Sequence, residues 1–345
     1  MNPHSHIYPL LIASYLEPEH VERIRQVDER LNVIFEPQLL PKQRYPSDHH
    51  GAPLVRNSKD EESWRKYLAQ AEIMFSFDYT HLEDLPDLTP NLRWLQATSA
   101  GIGEFIKNYR YHERLPDTTF TTASGVHVRP LAEFVVMTML MHYKKLLHVV
   151  SEQPHKHWAR FSGTDLEGRT IGIIGLGHAG SEVARMTKLL GMRTYGTDLL
   201  EKIDDVDRYY PISNWQRMLP ELDVLVICVP QTPQTEKMVG RKELAMLSRD
   251  AYLINISRGV NIDEDALIET LRDGKIAGAA LDVFRQEPLP SESPLWDMPN
   301  VLVNPHSAST SDRENTRLTD LFCDNLHRFL YSQPLRNVLK HGALY

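Results

Sequence analysis

The sequence predicts an α/β protein in which a doubly wound parallel sheet is carried alongside a second, smaller α/β domain. Three observations point there. From residue 170 onward, short Val/Ile/Leu-rich runs alternate with helical patterns. A glycine-rich turn joins the first of those runs to the first of those helices. The length of 345 residues, at roughly 150 per domain, leaves room for about two cores.

The strand-like runs fall at 170–174, 193–197, 223–229, 252–256, 277–282 and 301–303. Their apolar residues are continuous and not alternating, which is how strands covered on both faces of a parallel sheet read. Helical patterns lie between them at 179–190, stopped by Gly191, at 214–219 after a candidate Ser213 cap, at 242–247, and at 265–272, stopped by Gly274. The first 125 residues alternate more loosely, with strands at 10–13, 33–35, 73–77 and 93–97 and helices at 18–30 and 61–70. Residues 129–150 read as one helix of about 22 residues, apolar almost all round over 131–141, so it must be covered on more than one side. Met137, Met139 and Met141 read as packing residues, and a second subunit is expected to cover what the chain itself does not, giving a homodimer through 129–150. A last helix pattern, 312–330, follows the final strand. Packed back on the first domain, it makes that domain discontinuous: residues 1–124 and 310–345 around an insert of 125–309.

Composition narrows the function classes. Charged residues at 24% and hydrophobic ones at 41% describe an ordinary soluble globular chain. Lys plus Arg (38) against Asp plus Glu (46) leaves a net charge of -8, the wrong sign for coating nucleic acid or an anionic membrane. The nearest basic patch, Lys144-Lys145, reads as a solvated helix face. Two cysteines, Cys228 and Cys323, with no CxxC pair, propose neither a disulfide framework nor a zinc site and fit a reducing cytoplasm. The histidine pairs His49-His50 and His155-x-His157 have no Cys or carboxylate at ligand spacing, so no metal is expected. No run reaches the roughly 18 apolar residues of a membrane span, and the apolar stretch 7–16 has no preceding Lys or Arg, unlike a signal peptide.

The glycine-rich turn, Gly175-Leu176-Gly177-His178-Ala179-Gly180, follows a strand and opens a helix, and the acidic Asp198 stands at the end of the next strand, 18 residues after Gly180. That is the context a dinucleotide site requires. Gly175 allows the tight turn, Gly177 lets a pyrophosphate approach the backbone, and Gly180 lets helix and strand pack closely. The amides of the helix start, at His178 and Ala179, then face the diphosphate. Asp198 is expected to accept from the adenosine ribose hydroxyls. A 2'-phosphate beside it would set like charges about 4 Å apart, costing on the order of 4 kcal/mol per pair at an effective dielectric near 20. Position 199 is leucine, so no adjacent cation offsets this, and NAD is expected over NADP.

Chemistry in an open α/β sheet sits at the carboxyl ends of its strands. Three ionisable residues lie there: Arg258, Glu287 and His306. They make a coherent set, a cation to hold a carboxylate, a histidine to move a proton and a carboxylate to support the imidazolium.

Taken with Leu253-Ile-Asn-Ile-Ser-Arg-Gly259, Gly278-Ala-Ala-Leu-Asp-Val-Phe284, Glu287-Pro288, Asn300-Val-Leu-Val-Asn-Pro-His306 and Thr232-Pro-Gln-Thr235, the chain resembles the D-isomer-specific 2-hydroxyacid dehydrogenases over about residues 95–310. The resemblance implies a Rossmann-type NAD-binding domain inserted into a discontinuous flavodoxin-like substrate domain. It implies that Arg258 binds the substrate carboxylate and carbonyl, that His306 is the acid/base and that Glu287 pairs with it. It also implies that Asp282 contacts the nicotinamide side, that Pro230 and Thr235 line the nucleotide site, and that amides around Ala100 and Gly101 hold the substrate carboxylate. Asn304 stands where threonine is common in the family, and 125–130 lacks the tyrosine-containing pattern of the D-lactate branch, so D-lactate is not the expected product. A competing reading is an NAD-binding corepressor or silent scaffold of the same fold.

Overall fold

The computed structural model describes residues 6–340, so the first and last five residues assigned above to the substrate domain lie outside the described residues. The chain divides into two compact units, one of Met1–His127 with Thr310–Tyr345 and one of Val128–Ser309.

The first unit is built on five parallel strands: β1 (Tyr8–Ile12), β2 (Leu31–Ile34), β3 (Ile73–Phe75), β4 (Trp94–Gln96) and β5 (Thr119–Thr121), in the order β2-β1-β3-β4-β5. This is the flavodoxin-like order. Apolar side chains leave both faces of the sheet: Leu11, Met74 and Leu95 enter one cluster with Trp64 and Leu68, while Leu10, Ile12, Phe75 and Trp94 enter the other. The second cluster is closed by the chain's last helix, Glu314–Leu330, whose Phe322 stacks on Trp94 with ring centroids 5.0 Å apart. Its buried residues Leu318, Phe322 and Leu326 recur at the spacing of one helix face.

The second unit holds seven parallel strands: β6 (Thr170–Ile174), β7 (Arg193–Thr197), β8 (Arg208–Tyr209), β9 (Val224–Ile227), β10 (Tyr252–Asn255), β11 (Gly278–Leu281) and β12 (Val301–Val303). Their order is β12-β11-β10-β9-β6-β7-β8, so the winding reverses between β6 and β9, the switch point at whose carboxyl ends open α/β sheets bind ligands. Every residue of β6, β9, β10 and β11 is buried, which is why these strands read as continuous apolar runs.

Several expected elements differ. The single helix over 129–150 is two, Val128–Tyr143 and Leu146–Glu152, broken at Lys145, whose φ of 54° is left-handed. The Tyr143 carbonyl, which a continuing helix would offer to the amide of residue 147, accepts instead from the Thr164 amide at 2.8 Å. The helix expected at 214–219 is a 3-10 helix over Trp215–Glu221 containing Pro220, which has no N–H to donate, and Asn214, not Ser213, precedes it. The pattern at 242–247 yields only Arg241–Leu244 as α-helix. The run 223–229 stops at Ile227, short of Pro230. Strands β5 and β8, three and two residues long, were not expected.

Candidate active site

The glycine loop leaves β6 and enters the helix His178–Leu189. Gly175 has φ +94°, and a Cβ there would lie 2.8 Å from the Cys228 carbonyl oxygen, so only glycine makes this turn. A Cβ on Gly180 would fall 1.9 Å from the Gly175 carbonyl, which forces the close approach of helix to strand. At Gly177 nothing lies within 4 Å of the missing Cβ. The backbone is therefore open to a ligand at Gly177, and His178 and Ala179 begin the helix beside it, an arrangement that can receive an anion.

Asp198, just past β7, is tied into this loop. Its Oδ2 accepts from the Leu176 amide at 2.6 Å and its Oδ1 from the Leu200 amide at 3.1 Å. Position 199 is leucine, but a cation arrives from further along the chain. The structure brings Lys202 to the loop, where Nζ donates to the Leu176 carbonyl, and Ser181 Oγ reaches the same carbonyl at 2.9 Å and Asp205 at 2.6 Å. No local sequence signal marks Lys202, because the short 3-10 turn Ile203–Asp205 after it governs how the chain folds back. Beyond β9, the Pro230 carbonyl accepts from Thr235 Oγ1 at 2.7 Å, closing a turn that Asn261 Nδ2 braces at the Thr235 carbonyl, 3.0 Å away.

Arg258, Glu287 and His306 stand past the carboxyl ends of β10, β11 and β12, which are neighbours in the sheet. Arg258 is held through its backbone: Asn255 Nδ2 donates to its carbonyl at 3.1 Å, and its amide donates to Asn261 Oδ1 at 3.1 Å. Its Nη1 donates to the Ser257 carbonyl at 2.7 Å. The next residue, Gly259, packs so tightly that a Cβ would lie 1.9 Å from the Phe284 carbonyl carbon. That contact ties the arginine loop to the chain that carries Glu287.

Glu287 joins the loops together. Its Oε1 accepts from the Phe284 amide at 3.0 Å, and its Oε2 lies 2.7 Å from His306 Nδ1. Burial would raise its carboxyl, but the hydrogen bonds from His306 and the Phe284 amide, with the charges of His306 and Arg258, outweigh it and hold the group below the ordinary carboxylate range. An ionised carboxylate can only accept, so Nδ1 carries the hydrogen and Nε2 is the ring position that exchanges a proton.

His306 occupies a left-handed backbone conformation, φ 51°. Asp282 imposes it. This buried carboxylate collects three donors on Oδ1: Asn304 Nδ2 at 2.5 Å and the amides of Ser307 at 2.9 Å and Ala308 at 3.0 Å. The histidine is thus presented on a loop gripped on both sides. Asn304 was not foreseen as a site residue; its side chain grips the Asp282 carboxylate. Ala100 and Gly101 belong to the other unit, exposed on the turn after β4, where the Ala123 amide donates to the Ser99 carbonyl at 3.0 Å.

Among the described residues no cluster of three His, Cys, Asp or Glu could hold a metal, and no helix is long and apolar enough to cross a membrane.

Comparison with known proteins shows the family. The family model for the NAD-binding domain of D-isomer-specific 2-hydroxyacid dehydrogenases matches residues 136–308. A glyoxylate reductase of Korarchaeum cryptofilum is 35% identical over 220 residues, 61% of this chain and 65% of that protein. One from Thermofilum pendens is 31% identical over 290 residues, 79% of each. The crystal structure of an NADPH-dependent glyoxylate/hydroxypyruvate reductase from Sinorhizobium meliloti, in complex with NADP and sulfate, superposes with a TM-score of 0.75 at 25% identity, covering 98% of this chain and 100% of that one.

Proposed function

Since this chain belongs to the D-isomer-specific 2-hydroxyacid dehydrogenase family, we propose that it interconverts a 2-keto acid and a D-2-hydroxy acid, with NAD preferred to NADP. The observation that carries the reading is the 2.7 Å pair of His306 Nδ1 and Glu287 Oε2 at the carboxyl edge that also holds Arg258 and the glycine loop. A bound nicotinamide dinucleotide supplies or takes the hydride at its ring C4. The chain does the rest. His306 Nε2 gives a proton to the substrate oxygen in reduction and takes it back in oxidation, and Glu287 stabilises the charged ring between those events. Arg258 holds the substrate carboxylate and carbonyl, and the amides at Ala100 and Gly101 bind the carboxylate. Pro230, Thr235 and Asp282 line the cofactor site, with the diphosphate on the amides of Gly177, His178 and Ala179.

Cofactor choice rests on Asp198, whose charge opposes a 2'-phosphate; Lys202, bonded to the Leu176 carbonyl of the same loop, is a partial offset. Two like-charge terms of about 4 kcal/mol each, screened in part by Lys202, still leave NADH ahead by more than about tenfold in kcat/KM. The test is NADH and NADPH oxidation with glyoxylate, hydroxypyruvate, pyruvate and bulkier 2-keto acids. Asp198→Asn, which keeps an acceptor for the Leu176 amide, is expected to narrow the gap. Equal use of both cofactors by the parent sinks the charge argument, and silence across the panel favours the corepressor or scaffold reading.

The enzyme is further proposed to be a cytoplasmic homodimer. The helix Val128–Tyr143 buries Ala132, Val135 and Met139 but leaves Met137 and Leu140 exposed, and Leu146, Leu147, Val149 and Val150 continue the apolar surface. A groove there is lined by Met137, Leu140, Met141, Leu146 and Met186, with charge only at Glu133 and Lys144. Exposed apolar side chains gathered on neighbouring helices and rimmed by charge are the kind of surface through which copies associate. Light scattering at micromolar concentration is expected to give twice the chain mass of 39.7 kDa; the single mass would count against it.

A further inference from the structure

The loop that carries Glu287 is held by a second carboxylate that none of the roles above uses. Two successive amides of this loop go to different acids. The Phe284 amide donates to Glu287 Oε1 at 3.0 Å, while the Arg285 amide donates to Glu264 Oε2 at 2.9 Å. The peptide between them also lies against Gly259, where a Cβ would fall 1.9 Å from the Phe284 carbonyl carbon and 2.3 Å from the Arg285 nitrogen. An ionised carboxylate accepting an amide makes the stronger, charge-assisted kind of hydrogen bond.

Glu264 can fix this loop because its own base is fixed. It opens the helix Glu264–Arg272, at whose start Asp263 accepts from the Ala266 amide at 3.3 Å. The segment between Arg258 and that helix is bonded to the chain beyond β9. There the Lys237 amide donates to the Val260 carbonyl at 2.7 Å, the Val239 amide to the Asn261 carbonyl at 3.2 Å, and the Asp263 amide to the Val239 carbonyl at 3.1 Å. Glu264 therefore joins the chain that presents Arg258 to the chain that presents Glu287. Its side chain is 12% exposed, whereas the Arg285 side chain, paired with Asp265 at 2.8 Å, is 51% exposed and belongs to the surface. The charges set on Glu287 itself are those of His306 and Arg258.

We propose that Glu264 is a positioning residue for the acid/base pair: by holding the Arg285 amide it keeps Glu287 within hydrogen-bond reach of His306 Nδ1 and in place beside the Arg258 loop. This rests on the activity proposed above. The test is the pH dependence of 2-keto acid reduction in Glu264→Asp, Glu264→Gln and Arg285→Ala. Aspartate keeps the charge at the helix start but falls one methylene short of the amide; glutamine keeps the reach and an accepting oxygen without the charge. Both should melt with the parent, since aspartate is also favoured in a first turn and glutamine preserves the bond. Glu264→Asp is expected to lose about tenfold in kcat, less than the roughly hundredfold that a misplacement of about 1 Å can cost. The alkaline limb of its kcat/KM profile should also move to lower pH, because a carboxylate held less closely stabilises the imidazolium less and the proton is lost sooner. A purely structural loss would lower the plateau and leave the limbs in place. Glu264→Gln and Arg285→Ala should keep most of the parent rate and the parent limbs. Unmoved limbs in Glu264→Asp, or an equal defect in Glu264→Gln or Arg285→Ala, overturns the proposal. A parent silent with every 2-keto acid overturns the activity reading and this role with it, whereas an active parent with unmoved limbs in Glu264→Asp overturns this role alone, so the two failures are distinguishable.

Discussion

Replacement of His306 by alanine is expected to lower kcat for 2-keto acid reduction by about a hundredfold to ten-thousandfold, the contribution of a positioned general acid. Cofactor affinity should hold. The expectation follows from how the ring is mounted. Glu287 fixes Nδ1 at 2.7 Å, which leaves Nε2 as the proton-exchanging atom, and Asp282 clamps the loop through Asn304, Ser307 and Ala308. The side chain is 42% exposed, so its loss removes little packing. Histidine already carries a Cβ at φ 51°, so alanine adds no new clash, and His306→Asn, a residue tolerated in the left-handed region, serves as a second variant. Both variants should melt with the parent and bind NADH with unchanged fluorescence quenching. Retention of more than about a third of parent kcat would remove His306 from the proton-transfer role, since even weak general-acid contributions exceed that.

The way these loops are held explains what could be read in the chain beforehand. Strands β6, β9, β10 and β11 are buried on both faces, so their apolar runs announce both the strands and the carboxyl edge where Arg258, Glu287 and His306 must sit. The glycine spacing was legible for a similar reason: two of the three glycines answer local contacts, as Gly180 does against the Gly175 carbonyl, and Gly177 keeps the backbone between them open. What stayed hidden depends on distant partners. Lys202 reaches Leu176 only because the chain folds back after β7, and Asn304, noticed as a departure from threonine, acts through Asp282 on another strand. The break at Lys145 follows from the Thr164 amide taking the Tyr143 carbonyl. Substrate choice was least legible, since the turn after β4 lies in the unit where the strands are short and the family pattern is thin.

Replacement of Arg258 is expected to cost both binding and rate. Charge-assisted hydrogen bonds to a carboxylate contribute about 1.5 to 3 kcal/mol, which converts to a loss of roughly tenfold to 150-fold in kcat/KM for Arg258→Ala if one such bond is lost, and more if the fork engages two. Most of the change should appear in KM, because the carboxylate is held equally before and during reduction. Part should appear in kcat, because a substrate no longer fixed in orientation reaches the hydride-transfer geometry less often. The structure argues that the guanidinium is built for position as well as charge. Asn255 and Asn261 hold its backbone, Ser257 holds Nη1 at 2.7 Å, and Gly259 packs its loop against the Phe284 backbone on the chain leading to Glu287. Arg258→Lys should therefore recover little of the loss, since an ammonium keeps the charge without the planar fork. Steady-state kinetics with one keto acid at saturating NADH separates the possibilities. A lysine variant restored to near-parent kcat/KM would mean that Arg258 contributes charge alone, and an alanine variant with unchanged KM would mean that the carboxylate is held elsewhere.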